Sequence, residues 1–300
     1  RALAMAEMNA DYNTFLLGRR ALDRQTEKAH GVASVGTAED IDDRLIQFRK
    51  RYCDPNDNAG LLEKVCAEDI DSATMNKDID FGRTIGTPWT LALDFSDSEK
   101  TGDEQDVLAL SSNLFGHSVF ENIPDAYFEN PQNAYKILDM RSLIAKRSVA
   151  QYSFDALTGM KAEGPAEMDK TGGYMKAVLD QLGIPESDIP TLLSGGEATQ
   201  NGTDTDALLK PSYYAQMEVL TKKIYQNPSF YMTLYDTPAN IDRKGAALRA
   251  ISLMQNTDML KSRLRSEMLL SVLLETELDP LYKEAQGALD RMRPKGEPDK

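Results

Sequence analysis

The chain has 300 residues, 41% hydrophobic and 7% aromatic, so it can form one large or two medium domains with a core of leucine, methionine and alanine. Its 48 acidic residues outnumber its 34 basic ones, for a net charge of −14. Because a nucleic-acid backbone and an anionic lipid surface both attract basic residues, this balance argues against either as a partner. No window approaches the roughly 20 apolar residues of a membrane helix, so no direct membrane span is predicted.

Residues 1–193 are predicted to form an N-terminal helical region. Its first helix is predicted over Ala2–Ala29, where apolar residues recur along one stripe. Thr37 has the side chain of an N-cap, and the helix that it starts is expected to end near Tyr52. A further short helix is predicted over Leu61–Ala67.

Two cysteines, Cys53 and Cys66, lie in the loop-rich stretch between these helices. A disulfide between them would tie the ends of two helices together and stabilise the fold by about 3 kcal/mol. It would also imply an oxidising compartment such as the periplasm. The alternative is a pair of reduced thiols in a cytosolic protein. We favour the disulfide, because both cysteines lie beside acidic residues expected to be exposed and no further ligands suggest a zinc site.

The periodicity changes near residues 79–95, where apolar and polar residues alternate. Alternation of this kind is typical of a strand with one buried face. Ile79 and Phe81 could supply a partner strand, so the predicted fold class is mainly α with a small β-hairpin or sheet. The alternating apolar residues are Trp89, Leu91, Leu93 and Phe95.

Three more helices are predicted before the chain reaches its one low-complexity segment. Residues 194–206 (SGGEATQNGTDTD) contain no large apolar side chain and are predicted to be a flexible loop. The helices before this loop are predicted over Val107–Phe115, Gln132–Met160 and Thr171–Leu182.

Residues 207–293 are predicted to form a C-terminal helical lobe, followed by a disordered tail over 294–300. Asn240–Leu278 predicts two consecutive helices whose apolar stripes form the core of that lobe. Within them Met268–Leu274 is apolar except for one serine and is therefore expected to be buried. Asp279-Pro280 combines an N-cap with an N1 proline and predicts that a new helix begins there.

No catalytic residue, metal site or cofactor is predicted. Only His30 and His117 could act as imidazole bases, and both are expected to be surface residues. The acidic clusters lack the spacing of a calcium loop and are interpreted as solvated charge. The Lys-Thr-Gly at 170–172 matches one element of penicillin-recognising serine enzymes, but no serine has a lysine three residues later to act as the nucleophile pair. One of the acidic clusters comprises Asp103, Glu104 and Asp106.

Five strings of the sequence stand out together: Phe48–Cys53, Asn76–Ile79, Asn113–Gly116, Met140–Ser153 and Pro238–Leu274. Together they resemble the periplasmic IcmX-type component of Dot/Icm (type IVB) secretion systems and its relatives in conjugative plasmids. The resemblance implies an exported subunit that helps to build or operate a translocation apparatus, with other envelope proteins as partners and no active site to carry over. The chain opens at Arg1 without an initiator methionine, as expected of a processed or a truncated product, for example one from which a signal peptide has been removed.

The functional hypothesis from the sequence is therefore a non-catalytic periplasmic accessory or structural subunit of such an apparatus. The alternative is a periplasmic hydrolase that acts on the cell wall through two of the many carboxylates. That alternative predicts a deep cleft containing a carboxylate of raised pKa. A third interpretation, a solute-binding module, requires two α/β lobes and is disfavoured by the single convincing strand.

Overall fold

The computed structural model describes residues 2–26, 38–93, 100–116, 131–164, 179, 184 and 210–292. The predicted N-cap at Thr37, both histidines, the loop over 194–206 and the tail over 294–300 lie outside these residues, as does all of the predicted Thr171–Leu182 helix except Leu179. The described chain is mainly helical, as predicted. It divides into two compact units, Arg1–Ile251 and Ser252–Lys300.

Seven α-helices occur in the described residues, several of them extended by short π- or 3-10-helical turns. The first four are α1 (Ala2–Thr26), α2 (Ala38–Gln47), α3 (Gly102–Ser111) and α4 (Pro131–Lys161). They are followed by α5 (Tyr213–Thr221), α6 (Pro228–Met232) and α7 (Pro238–Met292). Turns of π-helix extend α2 over Phe48–Tyr52 and α3 over Ser112–Gly116, and a third occupies Gly82–Gly86.

Helix starts follow the local chemistry of their caps. Thr101 precedes α3, and its hydroxyl accepts a hydrogen bond from the backbone N–H of Glu104 at 3.1 Å. Ser212 caps α5 by accepting from the N–H of Ala215 at 3.0 Å, and it also donates to the carbonyl of Trp89 at 2.5 Å. The hydrogen bond from Ser212 to Trp89 connects the start of α5 to the segment that precedes Leu91.

The contact between α1 and α4 depends on small residues. A Cβ atom on Gly159 of α4 would lie 2.3 Å from Thr14 Oγ1 and 2.6 Å from the carbonyl oxygen of Ala10. Only a glycine therefore allows the two backbones to approach so closely at this point. Ala6, Ala10 and Leu17 supply the buried face of α1.

Two apolar clusters form the core of the first unit. One lies around the end of α4, and the other lies around α5, where the partly buried Ile251 also packs. The buried residues of the first cluster are Leu17, Ile85, Leu91, Leu93, Val107, Leu110, Phe154 and Ala162. Those of the second are Leu179, Ile184, Val219, Leu220, Ile224 and Phe230.

The predicted hairpin near residues 79–95 is wrong for the residues that the structure describes. Leu91 and Leu93 are buried as expected, but the backbone of Leu91 pairs with the end of α4, accepting from Glu163 N at 2.9 Å and donating to Lys161 O at 2.7 Å. Only an isolated bridge to Ala162 results. Ile79 and Phe81 are exposed and lie where a turn leads into Gly82–Gly86. The alternating pattern correctly predicted that Leu91 and Leu93 are buried. The backbone of Leu91, however, forms its hydrogen bonds with the end of α4 and not with a second strand.

Three predictions about helices are also corrected. Leu61–Ala67 forms a series of turns and no helix. Asn240–Leu278 belongs to one continuous helix, α7, and not to two. No new helix begins at Asp279-Pro280, because α7 passes through Pro280 without a break. The missing N–H of Pro280 removes one bond from a long ladder, and the turns on both sides stay helical.

The expectation that Met268–Leu274 is buried is wrong as well. Within α7, Ile251 packs against the second cluster, whereas most of the large apolar side chains beyond it are exposed. The exposed residues are Leu253, Met259, Leu260, Leu264, Met268, Leu270, Leu273, Leu274 and Leu278.

Candidate functional site

A buried carboxylate, Asp106 of α3, organises the polar interior of the first unit. Its Oδ1 accepts hydrogen bonds from Arg51 Nε at 2.8 Å and from the Tyr52 hydroxyl at 3.1 Å. Its Oδ2 forms an ion pair with Lys77 Nζ at 3.0 Å. Burial, followed by the negative charge of Asp106, raises the pKa of Tyr52 well above its usual value. The phenol therefore stays protonated and continues to donate.

The segment that carries these partners is tied together by backbone bonds and by the two cysteines. A disulfide joins Cys53 and Cys66, whose Cα atoms are 5.4 Å apart. The N–H of Ala67 donates to the carbonyl of Arg49 at 2.9 Å, and Asn76 donates from its N–H to the carbonyl of Tyr52 at 2.8 Å. Together these links hold the π-helical turn and the loop after it in fixed positions around Asp106.

A polar cavity of about 110 Å³ lies beside this network. Asp78 lines it, and Asn113 donates from Nδ2 to both the carbonyl and Oδ2 of Asp78, at 3.0 and 3.1 Å. Burial raises the pKa of Asp78 despite the hydrogen bond from Asn113, and Oδ1 of Asp78 has no hydrogen-bond partner among the described residues. The other polar lining includes Arg44, Gln47, Tyr52, Lys100 and Gln105.

A second buried acid, Asp155, lies in the contact between α1 and α4 and is 1% exposed. Its Oδ2 has no partner among the described residues and lies 3.5 Å from the position that a Cβ on Gly18 would take. Desolvation by burial raises the pKa of Asp155 to about 7. Asp155 is a buried acid that changes charge near neutral pH, but it lies in a helix contact.

Two further charged side chains, Arg20 and Lys161, bind polar groups on other elements. Arg20 of α1 pairs with the buried Glu104 of α3 at 2.9 Å. Lys161, at the end of α4, donates to the carbonyls of Ile85 and Gly86 at 2.5 and 2.8 Å, and its ammonium lies 4.6 Å from the ring centroid of Tyr214. These groups join separate elements to one another.

The acidic cluster at Asp103, Glu104 and Asp106 is therefore not the solvated surface charge that the sequence predicted. Asp103 Oδ2 accepts from the N–H of Ala92 at 3.0 Å, and the other two carboxylates are buried and paired with cations. The sequence held one signal of this, because Asp106 precedes Val107 and lies one helical turn before Leu110 on the buried side of α3. Among the described residues, no group of three or more His, Cys, Asp and Glu could hold a metal ion.

An exposed apolar face on α1 is a second candidate for function. Its residues follow spacings of three, four, three and seven, which place them on one side of the helix. Each has a side chain that is 40–72% exposed. The residues of this α1 face are Met5, Met8, Tyr12, Phe15 and Leu22.

Three of the five strings on which the secretion-system resemblance rests meet at the Asp106 network. Phe48–Cys53 supplies Arg51 and Tyr52, Asn76–Ile79 supplies Lys77 and Asp78, and Asn113–Gly116 supplies the amide that holds Asp78. Comparisons of the chain with protein-family models, with curated proteins and with solved structures find no match. No helix in the described part of the chain is both long and apolar enough to cross a membrane.

Proposed function

We propose that this protein is an exported, non-catalytic subunit that binds other envelope proteins of a type IVB secretion or conjugal-transfer apparatus. The α1 face carries this proposal. Exposed apolar patches on monomeric proteins are usually small, and a continuous one marks a surface that a partner covers. Its large, rigid Tyr and Phe side chains are of the types enriched at the centres of protein interfaces.

The Asp106 network supports a structural role for the polar interior. Two cations and a phenol donate to the oxygens of the buried Asp106, so its negative charge is already balanced by groups of the protein itself. Breaking such a buried arrangement is costly, which suits a group that fixes the fold. The network instead holds the disulfide-linked segment against α3.

The disulfide supports the exported location. Disulfides persist in oxidising compartments and are rare in the reducing cytosol. The pairing of Cys53 with Cys66 is compatible with a periplasmic protein. Its state in cells is checked by alkylating periplasmic extracts with and without reductant and measuring the mass of the fragment that contains both residues.

The proposal is tested by placing a photo-crosslinking amino acid at Tyr12, on the α1 face, and recovering the products from an envelope fraction. We expect crosslinks to other subunits of the apparatus. The same probe at Glu63, an exposed residue outside this face, is the matched control and should give none. Recovery of abundant periplasmic proteins alone from both positions would contradict the proposal.

A matched variant separates loss of binding from loss of folding. Phe15→Lys places a charge on the exposed face, so it should abolish the crosslinks from Tyr12 while leaving the melting temperature almost unchanged. If the crosslinks survive this change, the α1 face is not the surface that binds the partners.

A second candidate function, a carboxylate-dependent hydrolase acting on the cell wall, is favoured by one observation. Asp78 has a raised pKa and lines a cavity, the combination expected of a catalytic acid. At about 110 Å³ the cavity is small beside ligand pockets of roughly 300–1,000 Å³. Release of soluble fragments from purified peptidoglycan by the protein, lost in Asp78→Asn, would establish this function in place of the first.

A further inference from the structure

The described part of α7 after Ile251 carries a second apolar stripe, on a different helix from the α1 face. At about 100° per residue, its four principal leucines lie within about 80° of one another around the helix. Their exposed fractions are between 47% and 60%. These residues are Leu260, Leu264, Leu274 and Leu278, and we call them the α7 seam.

The spacing of the α7 seam is that of a two-stranded coiled coil. Steps of four and three residues alternate along it, with the d positions at 260, 267 and 274 and the a positions at 264, 271 and 278. Four of these six positions are leucine. Glu267 and Ser271 form a polar layer in the middle, and the seam covers about 27 Å of helix.

We propose that the α7 seam binds the same seam of a second copy of this chain, with the two helices antiparallel. In an antiparallel pair each a position faces a d position of the other helix. Leu260 then packs against Leu278 of the second copy, and Leu264 packs against its Leu274. Two leucine layers thus lie on each side of the polar centre, where Glu267 of each chain faces Ser271 of the other. This inference does not depend on the proposed function, because it uses a different helix and a different kind of partner.

The central layer selects the antiparallel orientation. If the helices were parallel and in register, Glu267 would face Glu267 of the second copy, and two carboxylates would repel each other inside the interface. In the antiparallel pair Glu267 faces the small, uncharged Ser271 instead. A polar residue at a core position commonly fixes register and orientation in this way.

The charges beside the seam are complementary in the same orientation. Arg263 and Glu277 occupy flanking positions that meet across an antiparallel pair, so two such ion pairs form, one at each end. Both residues are exposed, and within one chain neither makes an ion pair with another described residue. Between these ends Met268 and Leu270 lie beside their own counterparts and extend the apolar contact.

Cysteine crosslinking of the full chain tests the orientation. Both native cysteines are in the disulfide, so an introduced cysteine is the only free thiol in the described chain. Glu267→Cys and Ser271→Cys are made as separate variants and oxidised mildly, alone and mixed. We expect a covalent dimer to form at least ten times faster in the mixture than in either variant alone. Faster crosslinking of each variant alone would overturn the antiparallel arrangement, and no crosslinking in any sample would overturn the dimer.

A charge exchange tests the register. Arg263→Glu should raise the dissociation constant of the dimer at least tenfold in sedimentation experiments, and adding Glu277→Arg should restore it. Leu273→Asp, an exposed change outside the seam, is the control and should leave the dissociation constant within about twofold. Helical content by circular dichroism shows that each variant is folded. A dissociation constant unaffected by Arg263→Glu, or not restored by the second change, would overturn the pairing of Arg263 with Glu277.

Discussion

Among single residues, Asp155 is a buried carboxylic acid whose Oδ2 has no hydrogen-bond partner in the described part of the chain. Its carboxyl lies between α1 and α4, where Oδ2 lies 3.5 Å from the position that a Cβ on Gly18 would take. Burial without a compensating partner favours the neutral acid, which is why the pKa of Asp155 rises to about 7 from the usual 3.8. The folded protein therefore binds a proton here that the unfolded chain has already released.

Asp155→Asn is expected to stabilise the protein at high pH. Between about pH 4 and pH 7 the folded state holds more protons at this residue than the unfolded state, so the stability of the wild type falls as pH rises through this range. The asparagine does not titrate, so the variant should be more stable by at most about 4 kcal/mol at pH 8. The difference should shrink towards pH 4. Urea unfolding at pH 4.5, 6 and 8 measures it, and a difference that does not change with pH would show that Asp155 is solvated.

Asp106→Asn is expected to destabilise the protein by about 2–4 kcal/mol. The amide cannot neutralise Arg51 and Lys77, which are mostly buried around it. Asp69→Asn, which removes an equal charge from an exposed turn, is the matched control and should change stability by no more than about 0.5 kcal/mol. Chemical unfolding at neutral pH compares the two. Equal effects would mean that the network around Asp106 contributes only through net charge.

The partners of Asp106 could not be predicted from the sequence. Arg51 is 55 residues away and Lys77 is 29 residues away, and no periodicity links positions on different elements. The cluster that contains Asp106 was predicted to be solvated, and only its position one turn before Leu110 on α3 indicated that this carboxylate lies on the buried face. The spacing of residues along a helix can indicate that a polar side chain lies on the buried face. The partner of that side chain depends on tertiary packing, which the spacing does not report.

At the scale of elements, the contact between α1 and α4 leaves no room for a side chain at Gly159. Gly159→Ala is expected to destabilise the protein by about 1–3 kcal/mol, because the new methyl would overlap Thr14 and the backbone of Ala10. Thermal unfolding measures the loss, which outweighs the gain of up to about 1 kcal/mol in helix propensity.

Gly245→Ala provides the matched control for that change. Gly245 also lies inside a helix, α7, but a Cβ there meets nothing within 4 Å. This variant should therefore gain about 0.5–1 kcal/mol from helix propensity alone. If both alanine variants shifted the melting temperature in the same direction, the close approach of α1 to α4 would not be the cause.

The elements differ in how far the sequence specified them. α1 and α4 were predicted almost to their ends, since each is long and repeats its apolar positions at helical spacing. The hairpin failed because alternation in Leu91 and Leu93 reports only which side chains are buried, and a helix end can bind the backbone as well as a strand. The prediction that a new helix begins at Pro280 failed because the sequence signal for a helix start is local, whereas the turns on both sides of Pro280 continue α7.

Among the described residues, several charged side chains are buried and many large apolar side chains are exposed. Glu104, Asp106, Asp155 and Lys161 are buried, whereas the α1 face and the α7 seam are exposed. Patterns of apolar residues therefore predicted the long helices α1 and α4 well but predicted burial poorly in α7. A stripe of leucines is the same whether the protein's own core or another chain covers it, so the sequence could not distinguish these cases.

Leu273→Asp measures this difference directly. A buried leucine replaced by aspartate would lose its packing and place an unpaired charge in the core, and the protein would unfold. Leu273 is instead 57% exposed, so the change should cost no more than about 1 kcal/mol, mainly through the lower helix propensity of aspartate. Thermal unfolding of dilute protein, followed by circular dichroism, gives the shift. Leu220→Asp introduces the same charge at a buried leucine of the second cluster and should abolish cooperative unfolding. If Leu273→Asp were as damaging as Leu220→Asp, another part of the chain would have to cover this face of α7.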